Sequence, residues 1–227
     1  MTLKLDGTLL LAGAGNMGGA MLAGWLQQGL PATQILVQDP GPPPAVAGLL
    51  SKAGITAQAA IASLPTPPAV ILVAVKPQEM DRAFPPLAKL AGPQTVVLSI
   101  AAGRTIAGFE KHLAKDIGVV RAMPNTPAAV GRSITVCCPN AHVTQAQTDV
   151  CTALLRAIGE VAWVEDEALI DPVTAVSGSG PAYVFYLVEA MAAAGVKAGL
   201  PADLAMQLAR HTVAGSGELL HRSPLDA

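Results

Sequence analysis

Hydrophobic positions along this chain alternate between short unbroken apolar runs and longer stretches in which apolar residues recur every three or four positions. An unbroken run is typical of a strand buried on both faces of a parallel sheet, and the longer pattern is typical of a helix packed on that sheet. The apolar runs predict an opening strand after Thr8 and further strands at residues 34–38, 69–75, 95–100, 118–122, 133–138 and 161–164.

Helical patterns lie between these predicted strands. They cover residues 17–28, 45–53, 79–90 and 105–115, and a further short helical piece is expected within the connection 54–68. Pro85 and Pro86 are expected to interrupt the helix at 79–90, because proline removes a backbone donor. Thr144 and Gln147 form a capping box that begins another helix. The alternation predicts an α/β fold of the Rossmann type, with a doubly wound, mainly parallel sheet.

The alternation ends near residue 165. Beyond it the sequence predicts only helices, at 168–176, 181–197 and 201–220, so we place one domain at residues 1–164 and an all-α domain at 165–227. Val184, Leu187 and Met191 share one helix face, and alanines and glycines cover the other faces. Helices with small residues on several faces pack closely against other helices, which predicts a homodimer or a higher homo-oligomer through this domain.

The composition excludes several classes of partner. With 52% hydrophobic and 13% charged residues, the 227-residue chain can bury a large core. The net charge is −2, basic residues are scattered and only 3% are aromatic, so we expect no nucleic-acid partner. The most apolar later stretch, residues 181–194, is too short to span a bilayer and contains Glu189, so we expect no membrane partner.

The N-terminus and the cysteines predict a cytoplasmic protein. Lys4 and Asp6 precede a short apolar run that ends in glycines, which does not resemble a signal peptide. Cys137, Cys138 and Cys151 are odd in number and form no C-x-x-C pair, which favours reduced, buried thiols.

Three glycines at the end of the first predicted strand suggest a dinucleotide site. Gly13, Gly15 and Gly18 fit the pattern G-x-G-x-x-G/A and stand directly before a helix. Such a turn lets the backbone approach a pyrophosphate and presents helix N–H groups to it. Alone, the pattern is weak evidence, because glycine triplets of this kind also occur in other turns.

Asp39 ends the next predicted strand, about 20 residues after the last motif glycine. In dinucleotide-binding folds an acidic residue at this spacing hydrogen-bonds the adenosine ribose. Turn formation before Pro40 and Gly41 explains the residue equally well. Residues 41–44 hold no Lys or Arg that could receive a 2′-phosphate, which favours NADH over NADPH.

Other polar and small residues follow the ends of later strands. Lys76 and Pro77 follow the run at 69–75, at the edge where open α/β sheets bind ligands, although a lysine just outside a buried strand is more often merely solvated. Small residues at 101–103 would let a nicotinamide lie close, or serve packing alone. Two prolines fix the backbone around Asn125 and Thr126, whose side chains present polar atoms.

At this point five stretches of the chain resemble the pyrroline-5-carboxylate reductase family. They are GAGNMGGAM at 13–21, AVKPQ at 74–78, SIAAG at 99–103, RAMPNTPA at 121–128 and DPVTAVSGSGPAYVF at 171–185. The last two are much more specific than the glycine turn. The resemblance implies reduction of the C=N bond of 1-pyrroline-5-carboxylate to L-proline by NADH or NADPH, the last step of proline biosynthesis. It also implies an N-terminal Rossmann domain and a C-terminal helical dimerisation domain.

This reaction requires little from the protein beyond positioning the nicotinamide and the imine. Hydride transfer belongs to the nicotinamide, and a cyclic imine protonates readily in water. The resemblance therefore implies no metal and no covalent nucleophile, and it identifies no catalytic residue. His112, His142, His211 and His221 show no ligand spacing, and we assign them to structure or solvent.

Site residues are inferred from the resemblance position by position. The cofactor-binding residues are Gly13, Ala14, Gly15, Asn16, Met17, Gly18, Asp39, Ala74, Val75, Lys76, Pro77, Ile100, Ala101 and Ala102. The substrate-side residues are Asn125, Pro127, Glu167, Ser177, Gly178, Ser179 and Gly180. For Glu167, a solvated carboxylate at a helix start is the competing interpretation.

The family pattern continues past the position of Ala227 through a Ser-Pro-Gly-Gly-Thr-type loop that contacts substrate. Two alternatives to the reductase stay open. One is a non-catalytic or truncated NAD(P)-binding module without that loop. The other is an oxidoreductase related to β-hydroxyacid dehydrogenases, which need a catalytic lysine that the helix AYVFYLVEAM lacks.

Overall fold

The strands of the first part of the chain lie side by side in one sheet. The computed structural model describes residues 3–225, and within that range the strands are β1 (Leu9–Ala12), β2 (Ile35–Gln38), β3 (Ala57–Gln58), β4 (Val70–Val73), β5 (Val96–Ser99), β6 (Gly118–Met123), β7 (Ser133–Pro139) and β8 (Gly159–Trp163). Their order is β3-β2-β1-β4-β5-β6-β7-β8. Only the pair β6 and β7 is antiparallel among these strands. The predicted doubly wound, mainly parallel sheet is confirmed.

Helices cover both faces of the sheet. The helices are α1 (Asn16–Gln27), α2 (Pro44–Ala53), α3 (Met80–Ala88), α4 (Ile106–Glu110), α5 (Gln145–Arg156), α6 (Ile170–Val173), α7 (Gly180–Lys197) and α8 (Ala202–Arg222). Buried residues of α1, α2 and α5 pack on one face, and those of α3 and α4 pack on the other. The capping box of Thr144 and Gln147 is present at the start of α5, as predicted.

The first strand shows why the apolar runs are unbroken. Leu9 and Leu11 belong to the core on one face, and Leu10 and Ala12 belong to the core on the other. Because successive side chains of a strand point to opposite faces, a strand covered on both sides needs an apolar residue at every position. The core positions the carboxyl ends of the parallel strands at one edge.

Four predicted helices differ from those observed. The short helix expected within 54–68 is wrong: the chain there forms strand β3, whose Ala57 pairs with Val37. The expected interruption by Pro85 and Pro86 is also wrong, since both lie inside α3. Each proline lacks the N–H that would bond the carbonyl four residues earlier in the helix. Those two carbonyls belong to exposed residues in the first turn of α3, where water can hydrate them.

The other two differences are at helix ends. The helix expected at 105–115 stops at Glu110, where the backbone tightens into bonds from His112 N to Phe109 O and from Leu113 N to Glu110 O. The helix expected at 168–176 consists of α6 followed by a π-helical turn, Thr174–Gly178.

Contacts between residues divide the chain between Gly178 and Ser179. The functional boundary after residue 164 stays a prediction. In the second unit, α7 and α8 pack on each other through small residues: a Cβ added at Gly195 would lie 3.1 Å from Ala205 Cβ. Large apolar side chains of α7, among them Tyr183 and Phe185, are exposed on the single chain. Within residues 3–225 no helix is long and apolar enough to cross a membrane.

Candidate functional site

The glycine turn lies between β1 and α1, at the carboxyl edge of the sheet. Gly13 has a φ of +94°, and a Cβ there would lie 2.7 Å from the carbonyl of Ala74. A Cβ at Gly18 would lie 2.1 Å from Gly13 O. These two glycines are therefore required by the turn itself, because a side chain at either position would collide with backbone.

Gly15 differs from the other two motif glycines. A Cβ at this position would meet no atom within 4 Å. Gly15 is the N-cap residue of α1, and neither a side-chain cap nor an acidic residue occupies the first turn of that helix. The first-turn amides and the helix dipole favour an anion here, so the open surface over Gly15 fits a pyrophosphate.

Asp39 is hydrogen-bonded to the glycine turn. Its Oδ2 accepts a hydrogen bond from Ala14 N at 2.6 Å, and its Oδ1 accepts one from Gly41 N at 2.8 Å. The turn role considered for Asp39 is thus present, and the carboxylate also reaches the glycine turn. The bond to Ala14 was missed by sequence reasoning, although the parallel pairing of β1 with β2 brings both strand ends to one edge.

Two further predicted cofactor segments meet at the same edge. Val73 pairs with Ser99, so residues 74–77 and 100–102 leave the sheet from neighbouring strands. Arg104, which sequence reasoning missed, links the two connections: its Nη2 donates to Pro77 O, and its Nη1 donates to Asp81 Oδ1 at 2.6 Å. Lys76 is exposed. The segments predicted to line the nicotinamide are therefore brought together.

Glu167 is held by a buried arginine. Its Oε1 accepts hydrogen bonds from Arg121 Nη1 at 3.0 Å and from Ile106 N at 2.9 Å. The Arg121 side chain is 7% exposed, and its Nη2 donates to Asp171 Oδ1 at 3.1 Å. Glu167 therefore bridges β6 to the start of α4. Its substrate role stays a prediction, and Arg121 is a residue that sequence reasoning missed.

The substrate-side residues of the first unit come together near the end of β6. Asn125 Nδ2 donates to Ser177 O at 3.1 Å, and Asn125 Oδ1 accepts from Ile134 N at 3.2 Å. Pro127 lies in the 3₁₀ turn Thr126–Val130, and Ser177 and Gly178 end the π-helical turn. Ser179 and Gly180 begin the second unit, where Gly180 is the first residue of α7.

The cysteines supply no reactive thiolate. Burial raises the pKa of all three thiols, that of Cys151 to about 12. For Cys138 the carboxylate of Glu167 adds to this effect of burial on the pKa. The thiolate is the nucleophilic form of cysteine, so these side chains behave as small core residues. Within the described part of the chain, no group of three His, Cys, Asp or Glu residues could hold a metal ion.

Comparison with known proteins adds independent findings. Residues 167–227 match the family model described as pyrroline-5-carboxylate reductase dimerisation, and residues 8–103 match that of NADP oxidoreductase, coenzyme F420-dependent. The pyrroline-5-carboxylate reductase of Pseudomonas aeruginosa is 39% identical over 94% of this chain and 78% of its own length. That of Escherichia coli is 40% identical over 92% of this chain and 77% of its own.

Solved structures agree in fold. The pyrroline-5-carboxylate reductase of Coxiella burnetii superposes with a TM-score of 0.88 at 29% identity, covering 98% of this chain and 82% of that one. The pyrroline carboxylate reductase of Plasmodium falciparum, solved with NADP bound, superposes with a TM-score of 0.78 at 24% identity, covering 97% and 80%.

Proposed function

Because the chain belongs to the pyrroline-5-carboxylate reductase family, we propose that it reduces 1-pyrroline-5-carboxylate to L-proline with a hydride from NADH or NADPH. The observation that carries this proposal is the glycine turn with its open Gly15 at the carboxyl edge of the sheet. The helix that follows it, α1, contacts the turn Thr126–Val130, which begins in the family's specific RAMPNTPA segment. The bound dihydronicotinamide supplies the hydride, and the imine carbon accepts it. The imine nitrogen carries the proton of the product amine, which water supplies before transfer.

The residues of the chain bind and orient the reactants. The backbone amides of residues 15–18, at the start of α1, would hold the pyrophosphate, since the amide of Ala14 already donates to Asp39. Residues 74–77 and 100–102 flank the nicotinamide half, and the link from Arg104 to Pro77 O keeps their connections together. Asn125, Pro127 and Glu167 are proposed on the substrate side, with Ser177, Gly178, Ser179 and Gly180. Orientation of the ring against the imine carbon is the main contribution of the protein.

We further propose that the enzyme is a homodimer formed through α7 and α8. The match to the dimerisation family model covers both helices. Exposed apolar side chains on α7 and α8, including Phe185, Tyr186 and Leu219, support an apolar interface.

The proposed reaction is tested with the purified chain and 1-pyrroline-5-carboxylate. We expect oxidation of NADH that depends on the substrate, with L-proline formed in equal amount as measured by amino-acid analysis. A reaction without substrate is the control. Binding of NADH with no proline formed from either cofactor would show a nucleotide-binding module instead.

We also propose that NADH is preferred over NADPH. Asp39 is 2.6 Å from Ala14 N, so its carboxylate lies at the glycine turn, where a 2′-phosphate on the adenosine ribose would add like charge. Residues 40–44 contain no Lys or Arg to offset that repulsion. The Plasmodium falciparum relative was solved with NADP, so cofactor choice is a point on which this chain is expected to differ.

Asp39→Asn is expected to reduce this preference. The amide removes the negative charge but keeps an oxygen that can accept from Ala14 N. We expect the ratio of kcat/KM for NADH to kcat/KM for NADPH to fall about tenfold, equivalent to about 1.4 kcal/mol. Asp149→Asn, an exposed substitution of the same type on α5, is the control and should leave the ratio unchanged. A wild-type enzyme that favours NADPH tenfold would contradict the assignment.

A further inference from the structure

The side chain of Asn125 makes an unusual set of bonds. Asn125 is the N-cap residue of the turn Thr126–Val130, but its side chain makes no cap bond. Asparagine at such a position ordinarily accepts from a first-turn amide. Here Oδ1 accepts from Ile134 N and Nδ2 donates to Ser177 O. A donor faces one end of the amide and an acceptor faces the other, so the flipped amide would satisfy neither.

The carbonyl that Asn125 holds belongs to an irregular segment. Ser177 lies in the π-helical turn Thr174–Gly178, which separates α6 from α7. Turns of this type interrupt the regular helical ladder and occur frequently at functional sites. Gly178 packs on the end of β6 as well, because a Cβ there would lie 2.6 Å from Met123 Cε. Residues of the RAMPNTPA stretch therefore hold this turn at two adjacent positions.

The hydroxyl of Ser177, in the same turn, makes no hydrogen bond to the described part of the chain. Ser177 Oγ is buried, and within residues 3–225 no hydrogen-bond partner reaches it. A buried hydroxyl without a partner costs free energy, and such groups are rare in native structures outside functional positions. Asn125 holds the backbone carbonyl of the same residue.

We infer that Asn125 is a positioning residue: by holding the Ser177 carbonyl it keeps the π-helical turn Thr174–Gly178 in the conformation that binds the substrate. The inference rests on the proposed reduction of 1-pyrroline-5-carboxylate and assigns Asn125 no direct contact with the reacting atoms. Its effect should therefore fall on the substrate and not on the dinucleotide.

Asn125→Asp tests the inference with a nearly isosteric change. The ionised carboxylate still accepts from Ile134 N but has no proton for Ser177 O, and the two oxygens repel. At neutral and alkaline pH we expect KM for 1-pyrroline-5-carboxylate to rise about tenfold or more, with KM for NADH within about twofold of wild type. At acidic pH the protonated carboxyl can donate to Ser177 O, so the ratio of variant to wild-type KM should fall towards one. A role in stability alone would not produce this substrate-specific, acid-relieved defect.

Asn140→Asp is the matched control. Asn140 Nδ2 donates to Ile117 O at 3.0 Å and its Oδ1 accepts from Val119 N at 3.0 Å, so it makes the same kind of bridge at the opposite end of β6. This variant should lower the melting temperature and leave KM for the substrate unchanged. If Asn125→Asp keeps the wild-type KM, or if both variants raise it equally, the inference is wrong. A wild-type chain that forms no proline would instead refute the proposed function.

Discussion

Gly15→Ala is expected to weaken NADH binding by about one to two orders of magnitude while the chain stays folded. The added methyl group meets no protein atom within 4 Å, so the protein itself tolerates it. It occupies the surface at the start of α1 over which the pyrophosphate must approach the backbone. Fluorescence titration with NADH measures the affinity. Thermal unfolding should show only the small cost of alanine at an N-cap, about 1 kcal/mol or less.

Gly18→Ala is the comparison that distinguishes a direct effect on NADH binding from an effect on the stability of the protein. Its methyl group would lie 2.1 Å from Gly13 O, so this variant should lose both stability and NADH binding. If Gly15→Ala bound NADH as tightly as wild type, the pyrophosphate would not lie over Gly15, and the site assigned to the glycine turn would be wrong.

Arg121→Met is expected to destabilise the chain by about 2–4 kcal/mol, because it leaves the carboxylate of Glu167 without its buried partner. Glu167 is 29% exposed and Asp171 is 84% exposed, which keeps the loss below that of a fully buried pair. For a chain of this size the melting temperature should fall by about 5–15 °C. Calorimetry or circular dichroism measures this change.

Arg82→Met provides the control for this second prediction. Arg82 pairs with Glu79 at 3.4 Å, and both side chains are mostly exposed. Such a pair contributes little, so the melting temperature should change by no more than about 2 °C. Glu167→Gln combined with Arg121→Met should cost less than the sum of the two single changes, because the partners interact directly. Additive losses would show that Arg121 does not act through Glu167.

The direction of β7 illustrates a feature that could have been predicted from the sequence. The apolar run at 133–138 identifies a buried strand but not its direction. A parallel crossover needs a dozen or more residues, usually with a helix, and residues 124–132 are too few. The observed antiparallel pairing of Arg121 with Cys138 follows from this short connection. By contrast, the continuation of α3 across Pro85 and Pro86 could not be predicted from the sequence. It depends on the exposure of the first turn of α3 to water, which the sequence does not reveal.

Part of the candidate site could also be predicted from the sequence. Gly13, Gly15 and Gly18 are close in the chain, and their spacing determines a local turn whatever surrounds it. The strand-end segments at 74–77 and 100–102 followed from the rule that parallel strands end at one edge. Arg104 and Arg121 carried no such signal, because an isolated arginine in a sequence is most often a solvated side chain.

The sheet, the glycine turn, the capping box at Thr144 and the family of the chain could all be predicted from the sequence. Those features depend on residues a few positions apart, or on apolar runs whose burial is nearly obligatory. The folded structure was needed to show that Asp39 holds Ala14, that Arg121 holds Glu167 and that Asn125 holds Ser177, pairs that are 25, 46 and 52 positions apart. Which polar groups meet depends on the elements that the sheet brings together, and the energy of one such bond is too small to select the fold.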